Sequence, residues 1–170
     1  MRYFAVLGLF LGIAVSNVRA QETTPIAELS AGYSFLREGL QDGVNANGGS
    51  VSVAVNPNRW LGIAADVGGY HASPFNNSLN TVTYLFGPRF SYRRSSRITP
   101  FAQVLVGGAH LSGAGNSTNS FAVGAGGGFD FGVSQRLALR TQVDYIGIRP
   151  NDHVLNSVRG SFGIVYRFGR

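Results

Sequence analysis

The sequence predicts an all-β protein, an eight-stranded antiparallel up-and-down transmembrane β-barrel. Apolar residues alternate with small or polar residues in eight segments, and no helical periodicity follows the first twenty residues. Charged residues make up 13% of the chain, about half of the roughly 25% usual in soluble domains. The chain therefore has few charged residues to cover a surface that is exposed to water on all sides. This composition favours a surface that faces a membrane.

The first twenty residues have the pattern of a cleaved secretory signal. Arg2 precedes an apolar run from Phe4 to Val15, and Ala20 suits a cleavage site. The run is well short of the ~20 apolar residues that a membrane-spanning helix needs. We expect residues 1–20 to be removed and residues 21–170 to form one barrel domain.

The first four strands are predicted from apolar side chains that alternate with glycine, alanine, serine or isolated charges. The fourth strand is the most regular of them, with Val82, Tyr84 and Phe86 on its apolar parity. Pro88 lies on the same parity, and because it lacks an amide hydrogen we expect it to interrupt the strand pairing or to mark a bulge. The four segments are residues 26–36, 50–55, 60–70 and 81–93.

The last four strands follow the same rule. The fifth has the weakest parity, because Phe101 and Leu105 share the face of Gln103. The final strand has the clearest, since aromatic and aliphatic residues occupy one face and two arginines the other. The four segments are residues 98–110, 121–133, 137–145 and 159–168.

The connections between these strands are predicted to alternate in length. Short turns at one end of a barrel and long loops at the other are typical of transmembrane barrels. Tight turns are expected at residues 56–59, 94–97 and 134–136. Longer loops, rich in Gly, Asn and Ser, are expected at residues 37–47, 71–80, 111–119 and 150–156.

The last eight residues of the final strand resemble the assembly signal at the end of bacterial outer-membrane barrels. Its polar, glycine and two aromatic positions are occupied by Ser161, Gly163, Tyr166 and Phe168. Residues 26–168 as a whole resemble the small OmpA-type and OmpX-type outer-membrane barrels. This resemblance implies a location in the bacterial outer membrane, contact with outer-membrane lipids, and delivery by periplasmic chaperones to the barrel assembly machinery.

The second face of the predicted strands suits a confined lumen. It carries mostly Gly, Ala and Ser with isolated ions of both signs, whereas a water-facing exterior would carry many Lys, Glu and Thr. Because guanidinium groups bind carboxylates in bidentate fashion, we expect these ions to form a network inside the barrel. Gly124, Gly126 and Gly128 either leave room for the arginines or curve the strand. The nine ions are Glu28, Asp66, Arg89, Arg93, Asp130, Arg140, Asp144, Arg159 and Arg167.

Aromatic residues on the apolar parity are predicted to form two girdles, as membrane interfaces favour. Packing in a soluble core would scatter these rings instead. The girdle near the short turns contains Phe90, Tyr92, Phe129, Phe131, Tyr166 and Phe168. The girdle near the long loops contains Tyr33, Phe35, Tyr84, Phe121 and Tyr145.

The leading functional hypothesis is a non-enzymatic surface barrel with a side-chain-filled polar lumen, serving envelope integrity or contacts through its outer loops. A packed ionic lumen argues against free diffusion, and a narrow channel for ions or small solutes is the first alternative. The second alternative is a lipid A-modifying enzyme, because His110 and Ser112 are similar to the His-x-Ser pair of outer-membrane deacylases. Gly113 stands where those enzymes have Asn, which weakens this alternative.

No cofactor, metal ion or nucleic-acid partner is expected, and the barrel is expected to be a monomer. His71, His110 and His153 lie at loops or strand ends, and no spacing demands that they converge. The basic residues are divided between the predicted lumen and the turns, so no continuous basic face is available to nucleic acid. Arginines at the short turns are expected to meet lipid phosphates. They are Arg59, Arg94, Arg97 and Arg136.

Overall fold

The computed structural model describes residues 24–38, 44–72, 79–94, 97–113, 116–149 and 155–169. The predicted signal sequence, residues 1–20, lies outside these ranges and stays a prediction. Among the described residues, no helix is long and apolar enough to cross a membrane.

Eight antiparallel strands form the fold, and each strand pairs with its neighbour in the chain. The first strand also pairs with the last, which closes the sheet into a barrel and leaves no unpaired strand edge. The predicted fold class is thereby confirmed. The strands are β1 (Ala27–Glu38), β2 (Val44–Val55), β3 (Leu61–Ala72), β4 (Leu79–Ser91), β5 (Ile98–Gly113), β6 (Asn116–Gly132), β7 (Leu137–Arg149) and β8 (Leu155–Phe168).

The strands are staggered by ten residues around the barrel. Paired residues followed once around from Ala102 of β5 lead back to β5 at Ser112, ten positions further on (112 minus 102). With a rise of about 3.3 Å per residue and a strand spacing of about 4.8 Å, this stagger tilts the strands by about 40° and sets a backbone radius of about 8 Å. Side chains fill an enclosure of that size. The intermediate partners are Gly127, Val143, Gly160, Phe35, Asn47, His71 and Asn80.

The outer face of the barrel is apolar. Side chains of the predicted apolar parity point outward, and among the described residues 30 large hydrophobic side chains are exposed. So large an apolar surface is incompatible with water and suits the hydrocarbon of a bilayer. All the residues of the two predicted aromatic girdles except Tyr166, which is half-buried, are among the exposed residues. Trp60 extends the girdle near the short turns, where it stacks on Phe90.

Two predicted loops are largely strand in the structure. Residues 37–47 were assigned to a loop because they are rich in Gly and Asn, but β2 begins at Val44, and Phe35 pairs with Asn47. The predicted loop at 111–119 is shorter as well, because β5 and β6 remain paired up to Gly113 and Asn116. The prediction that long and short connections alternate is therefore wrong. These strands extend through residues of low strand propensity because their backbone hydrogen bonds with the neighbouring strand continue beyond the barrel wall.

Pro88 interrupts one ladder of the barrel without changing its alignment. Pairing between β4 and β5 stops after Phe86 and resumes at Arg89, and the alignment of the two strands is the same on both sides of the gap. The predicted interruption is confirmed, and no bulge is present there. On its other side Pro88 stays opposite Ile63 of β3.

The seam between β1 and β8 depends on close backbone contact. Gly32 lies opposite Gly163, and a Cβ atom on either glycine would collide with the backbone of the other strand. Two residues further from the turn at residues 56–60, the Ser34 hydroxyl forms hydrogen bonds with the hydroxyls of Ser50 and Ser161, at 2.8 and 2.9 Å. Two of the predicted assembly-signal residues, Ser161 and Gly163, therefore also help to close the barrel.

The outward orientation of the apolar parity can be tested with an arginine placed in the band between the girdles. Ala65 faces outward, two residues from Val67, which pairs with Tyr84 of the girdle predicted near the long loops. We expect Ala65→Arg to lower the free energy of unfolding in phospholipid vesicles by about 2 to 4 kcal/mol, because it places a charge near the bilayer midplane. Asn58→Arg, in an exposed turn, adds the same charge outside the hydrocarbon and serves as the control. Equal stabilities of the two variants in a urea titration would contradict the orientation.

Candidate functional site

The lumen of the barrel contains the ions that the sequence placed on the inner face. For orientation, the lower end of the barrel is the end with the turns at residues 56–60, 92–97 and 133–136, and the upper end is the opposite one. Eight of the nine predicted ions take part in ion pairs in the lumen. The ninth, Arg167, lies on the inner face opposite Glu28, and its Nε has no hydrogen-bond partner among the described residues.

The lower group of ions surrounds Glu28. Its carboxylate lies 2.9 Å from Arg93, 3.5 Å from Arg140 and 3.9 Å from Arg89. Arg140 also binds Asp130 in bidentate fashion, with Nε–Oδ1 and Nη2–Oδ2 distances of 2.6 and 2.7 Å. Two carboxylates thus pair with three arginines in this part of the lumen, and the bidentate pair of Arg140 with Asp130 has the strong, planar geometry that guanidinium favours.

A phenylalanine ring contacts two of these arginines. The Cζ atoms of Arg89 and Arg140 lie 5.0 and 4.5 Å from the centre of the Phe101 ring. Each guanidinium is therefore within cation–π distance of the same ring. Phe101 is 6% exposed, so both contacts are made away from water, where they are strongest, and the ring stabilises two like charges that lie close together.

The upper group of ions is centred on Arg159, which is fully buried. Its Nε and Nη2 both donate to Asp144 Oδ2, at 2.9 and 2.7 Å. Its Nη1 donates to Asp66 Oδ1 at 2.5 Å and to the Tyr70 hydroxyl at 3.1 Å. One arginine thus holds two carboxylates from opposite parts of the barrel wall.

Gln103 joins the two groups into one network, and a second glutamine and a serine add further hydrogen bonds to it. Gln103 accepts a hydrogen bond from Arg89 at 3.0 Å and donates one to Asp144 at 3.1 Å. Gln142 donates to the same carboxylate at 2.6 Å, and Ser52 accepts from Arg89 at 3.1 Å. Every strand supplies a member of this network. In chain order they include Glu28, Ser52, Asp66, Arg89, Gln103, Asp130, Asp144 and Arg159.

The paired ions of the network balance in number. Four arginines and four carboxylates form the ion pairs, so their formal charges cancel. Balance matters here because an unpaired charge in so confined a space would cost several kcal/mol. Half-buried Arg167 adds a positive charge at the lower end of the lumen.

The upper part of the lumen holds a cluster of buried apolar side chains beside buried hydroxyl groups such as those of Thr83 and Ser157, which corrects the expectation of a polar lumen throughout. Ile146 and Ile148 follow Asp144 along β7, and Leu105 follows Gln103 along β5, and all three apolar side chains are buried. Hydrophobic packing therefore fills part of the lumen above the ions, where the sequence pattern predicted small and polar side chains. The apolar plug comprises Leu36, Ala46, Tyr70, Ala72, Leu85, Leu105, Ala109, Ala122, Ile146 and Ile148.

The glycines of β6 make room for a carboxylate and for neighbouring backbone. A Cβ atom at Gly126 would collide with the Asp144 carboxylate, and one at Gly128 would collide with the backbone of Thr141. A Cβ atom at Gly124 would meet only ordinary contacts, with Leu85 at 3.4 Å. The space beside Gly126 is thus occupied by the carboxylate of Asp144, the partner of Arg159, and not by an arginine.

His110 and Ser112 lie on the outer face of β5, near its upper end. The two residues share a parity, and His110 Nδ1 forms a 2.7 Å hydrogen bond with Asn119 Oδ1 across the β5–β6 pair. A serine nucleophile needs a base that a carboxylate orients. The carboxylates whose side chains the structure describes, Glu28, Asp66, Asp130 and Asp144, all face the lumen. The described residues therefore do not assemble a triad at this position.

The histidines do not converge on a metal ion in the described part of the chain. His71 pairs with Asn80 at 2.7 Å on the outer face, in the same manner as His110 with Asn119. No group of three or more His, Cys, Asp or Glu side chains is placed to hold a metal ion within the described ranges. His153 lies outside them.

Sequence patterning did not predict the roles of two large apolar residues in the lumen. Phe101 and Leu105 weakened the parity of β5 because large apolar residues on an inner face resemble a pattern error. In the structure both are inside, with Phe101 packed against two arginines and Leu105 in the apolar plug. The signal for them was present, since both share the parity of Gln103, and an eight-stranded barrel must fill its lumen with side chains.

Comparisons with known proteins agree with this architecture. No protein-family model matches the chain, and no curated protein sequence matches it. Among solved structures, neisserial surface protein A is 17% identical, with 84% of this chain and 97% of that chain aligned and a TM-score of 0.66. Ail, the attachment invasion locus protein of Yersinia pestis, is 16% identical over 86% of this chain and 100% of its own, with a TM-score of 0.60. OprG of Pseudomonas aeruginosa is 8% identical over 89% and 100%, with a TM-score of 0.61.

These similarities confirm the resemblance at the level of the fold. The chain has the fold of the small bacterial outer-membrane β-barrels. At these identities the similarity covers the backbone architecture, and it does not extend to the side chains of the lumen and the rims.

The contribution of the upper ion group can be measured by comparing two arginines on the same strand. Arg159→Gln leaves Asp66 and Asp144 without their shared partner, so we expect it to lower the free energy of unfolding by about 3 to 5 kcal/mol. Arg167→Gln removes the same charge from the half-buried arginine that has no ion pair among the described residues, and we expect a loss of about 1 kcal/mol or less. Urea unfolding in phospholipid vesicles measures both. Similar losses would show that the network geometry does not govern stability.

Proposed function

We propose that this chain is a non-enzymatic barrel of the bacterial outer membrane whose sealed lumen serves stability and whose biological contacts are made at its upper end. The observation that carries the proposal is the lumen, where side chains from all eight strands form one ion-paired network beneath an apolar plug. A barrel with an apolar exterior and a filled interior is anchored in the membrane and serves as a platform, that is, a non-conducting support for contacts at its upper end. The physiological role of the protein is envelope integrity or surface interaction.

Location in the outer membrane is supported by the outer face of the barrel. Exposed apolar side chains form a band that aromatic rings border at both ends, as in transmembrane barrels. The fold shared with neisserial surface protein A, Ail and OprG supports the same location. The Yersinia protein takes its name from attachment, which supports surface contacts as the role of this chain. In this location outer-membrane lipids are its constant partners, and the barrel is proposed to be a monomer.

The sealed lumen favours a platform over a channel. Arg89 and Arg159 are 1% and 0% exposed, so the centre of the lumen is closed to water in the described structure. An ion crossing it would have to displace a guanidinium from its carboxylates and then pass the packed Leu105 and Ile146 side chains. Both steps are unfavourable because they leave buried charges unpaired or ions in an apolar layer.

Assembly is proposed to depend on the last strand. Ser161 and Gly163 take part in the seam, while the rings of Tyr166 and Phe168 contact each other on the outer face at a centroid distance of 4.7 Å. An outward aromatic pair at the lower end would be available to periplasmic chaperones and to the barrel assembly machinery before the barrel closes. This partner assignment follows from the resemblance of the strand to known assembly signals.

A conductance measurement distinguishes the proposed non-conducting platform from the channel alternative. Because the network and the apolar plug fill the lumen, we expect the purified barrel to show no steady conductance in planar lipid bilayers. Reconstitution is checked in parallel by heat-dependent gel mobility, since the folded barrel should migrate differently before and after boiling. A stable single-channel level from protein that shows this mobility shift would overturn the platform and establish the channel alternative.

Lipid A analysis tests the enzymatic alternative. Since His110 pairs with Asn119 and the carboxylates described by the structure face the lumen, we expect expression of the protein to leave lipid A acylation unchanged. Mass spectrometry of lipid A from expressing and non-expressing cells measures this directly. A change in acylation that disappears in Ser112→Ala, with the variant still present in the outer membrane, would replace the proposal by the enzyme.

A further inference from the structure

The lower end of the barrel has a strongly basic rim. Four arginines in its turns are exposed, and no carboxylate is present among the described residues of these turns. Two carboxylates of the lumen near this end, Glu28 and Asp130, are each 2% exposed and bind Arg93 and Arg140. The four are Arg59, Arg94, Arg97 and Arg136.

Two of these arginines adjoin a cluster of exposed aromatic rings. Trp60 is 58% exposed and stacks on Phe90, with ring centroids 6.1 Å apart and planes inclined by 12°. Tyr92 follows Phe90 on the same outer parity and is 60% exposed. Arg59 directly precedes Trp60 in the chain, and Arg94 closely follows Tyr92. Basic and aromatic groups thus meet where the outer face passes from the apolar band to the turns.

Hydrogen bonds hold the two turns together at this point. The Ser91 amide donates to the Trp60 carbonyl at 2.8 Å, and Arg93 Nη1 donates to the Arg59 carbonyl at 3.0 Å. Arg94 Nη1 donates to the Tyr92 hydroxyl at 3.2 Å. The last contact places the Arg94 guanidinium beside the polar tip of a girdle tyrosine, which is the level of lipid headgroups.

We propose that Arg59 and Arg94, together with Trp60, Phe90 and Tyr92, form a binding site for the phosphate group of an anionic phospholipid in the leaflet at the lower end. This inference rests on the proposed membrane location. The guanidinium groups supply charge-assisted donors to the phosphate, and the rings supply an apolar surface for the adjoining glycerol and acyl chain.

The arrangement fits a lipid phosphate better than a soluble phosphate. A free anion would use the arginines alone and would leave the Trp60–Phe90 stack without a role. A lipid uses both parts, because its phosphate and its chains are separated along the membrane normal as the arginines and rings are. The occupant therefore has to be amphipathic and negatively charged.

Trp60 allows the site to be observed directly, since it is the only tryptophan in the chain. The full-length gene is expressed, and the protein is extracted from the membranes and reconstituted in vesicles that contain brominated phosphatidylglycerol or brominated phosphatidylcholine with the same acyl chains. Bromine quenches indole fluorescence only at short range, so the concentration dependence of quenching gives the relative affinity of the two lipids beside Trp60. We expect phosphatidylglycerol to be preferred.

The charge dependence is tested with two matched double variants. Arg59→Gln with Arg94→Gln removes two charges from the proposed site, and Arg37→Gln with Arg149→Gln removes two from exposed positions at the upper end. An arginine near an anionic surface contributes about fivefold to binding, so we expect the first variant to lose about 25-fold in lipid preference and the second to keep it. Heat-dependent gel mobility verifies that both variants are folded.

The outcomes separate this inference from the proposed function. If neither brominated lipid quenches Trp60, the barrel is not embedded as proposed, and both ideas fail. If the two lipids quench equally, or if the upper-end variant loses as much preference as the lower-end variant, only the lipid site is overturned. If inorganic phosphate abolishes the preference when sodium chloride of equal ionic strength does not, the site takes free phosphate, and the lipid assignment is wrong.

Discussion

The pairing of buried arginines with carboxylates is the interaction on which the interior of this barrel depends. Eight strands with a stagger of ten enclose a narrow lumen, and the side chains in it cannot reach bulk water. Once Arg89, Arg140 and Arg159 are inside, their charges must be met by groups on other strands. Glu28, Asp130, Asp144 and Asp66 meet them, and the pairs connect strands that are distant in sequence.

Such a network constrains the barrel more strongly than it stabilises it. The attraction between buried ions roughly offsets the cost of removing them from water, whereas a misaligned strand would leave charges unpaired at a cost of several kcal/mol. Because Arg159 contacts Asp66 and Asp144 simultaneously, a shift of β3, β7 or β8 would break its geometry. The network thus favours one alignment of the strands, while the exterior and the apolar plug supply most of the favourable free energy through burial in lipid and in the core.

Two kinds of residue show where prediction from the sequence succeeded and where it was wrong. Val53 and Ile63, like the other outward residues, follow from alternation, because side-chain direction in a strand depends only on parity. Asn45 and Asn47 were assigned to a loop on their composition, yet they pair with Arg37 and Phe35. Their strand conformation depends on the neighbouring strand, which local propensity does not represent.

The sequence by itself determined the number of strands, the inner and outer faces, and the identity of the ions inside, because each depends on the period-two geometry of a single strand. The tertiary structure alone decided which ions meet, since partners such as Arg159 and Asp66 are brought to one level by the stagger of the closed sheet. It also decided that Phe101 contacts two arginines and that an apolar cluster lies above the ions. Closure of the barrel is a property of all eight strands together, and no single segment of the chain contains it.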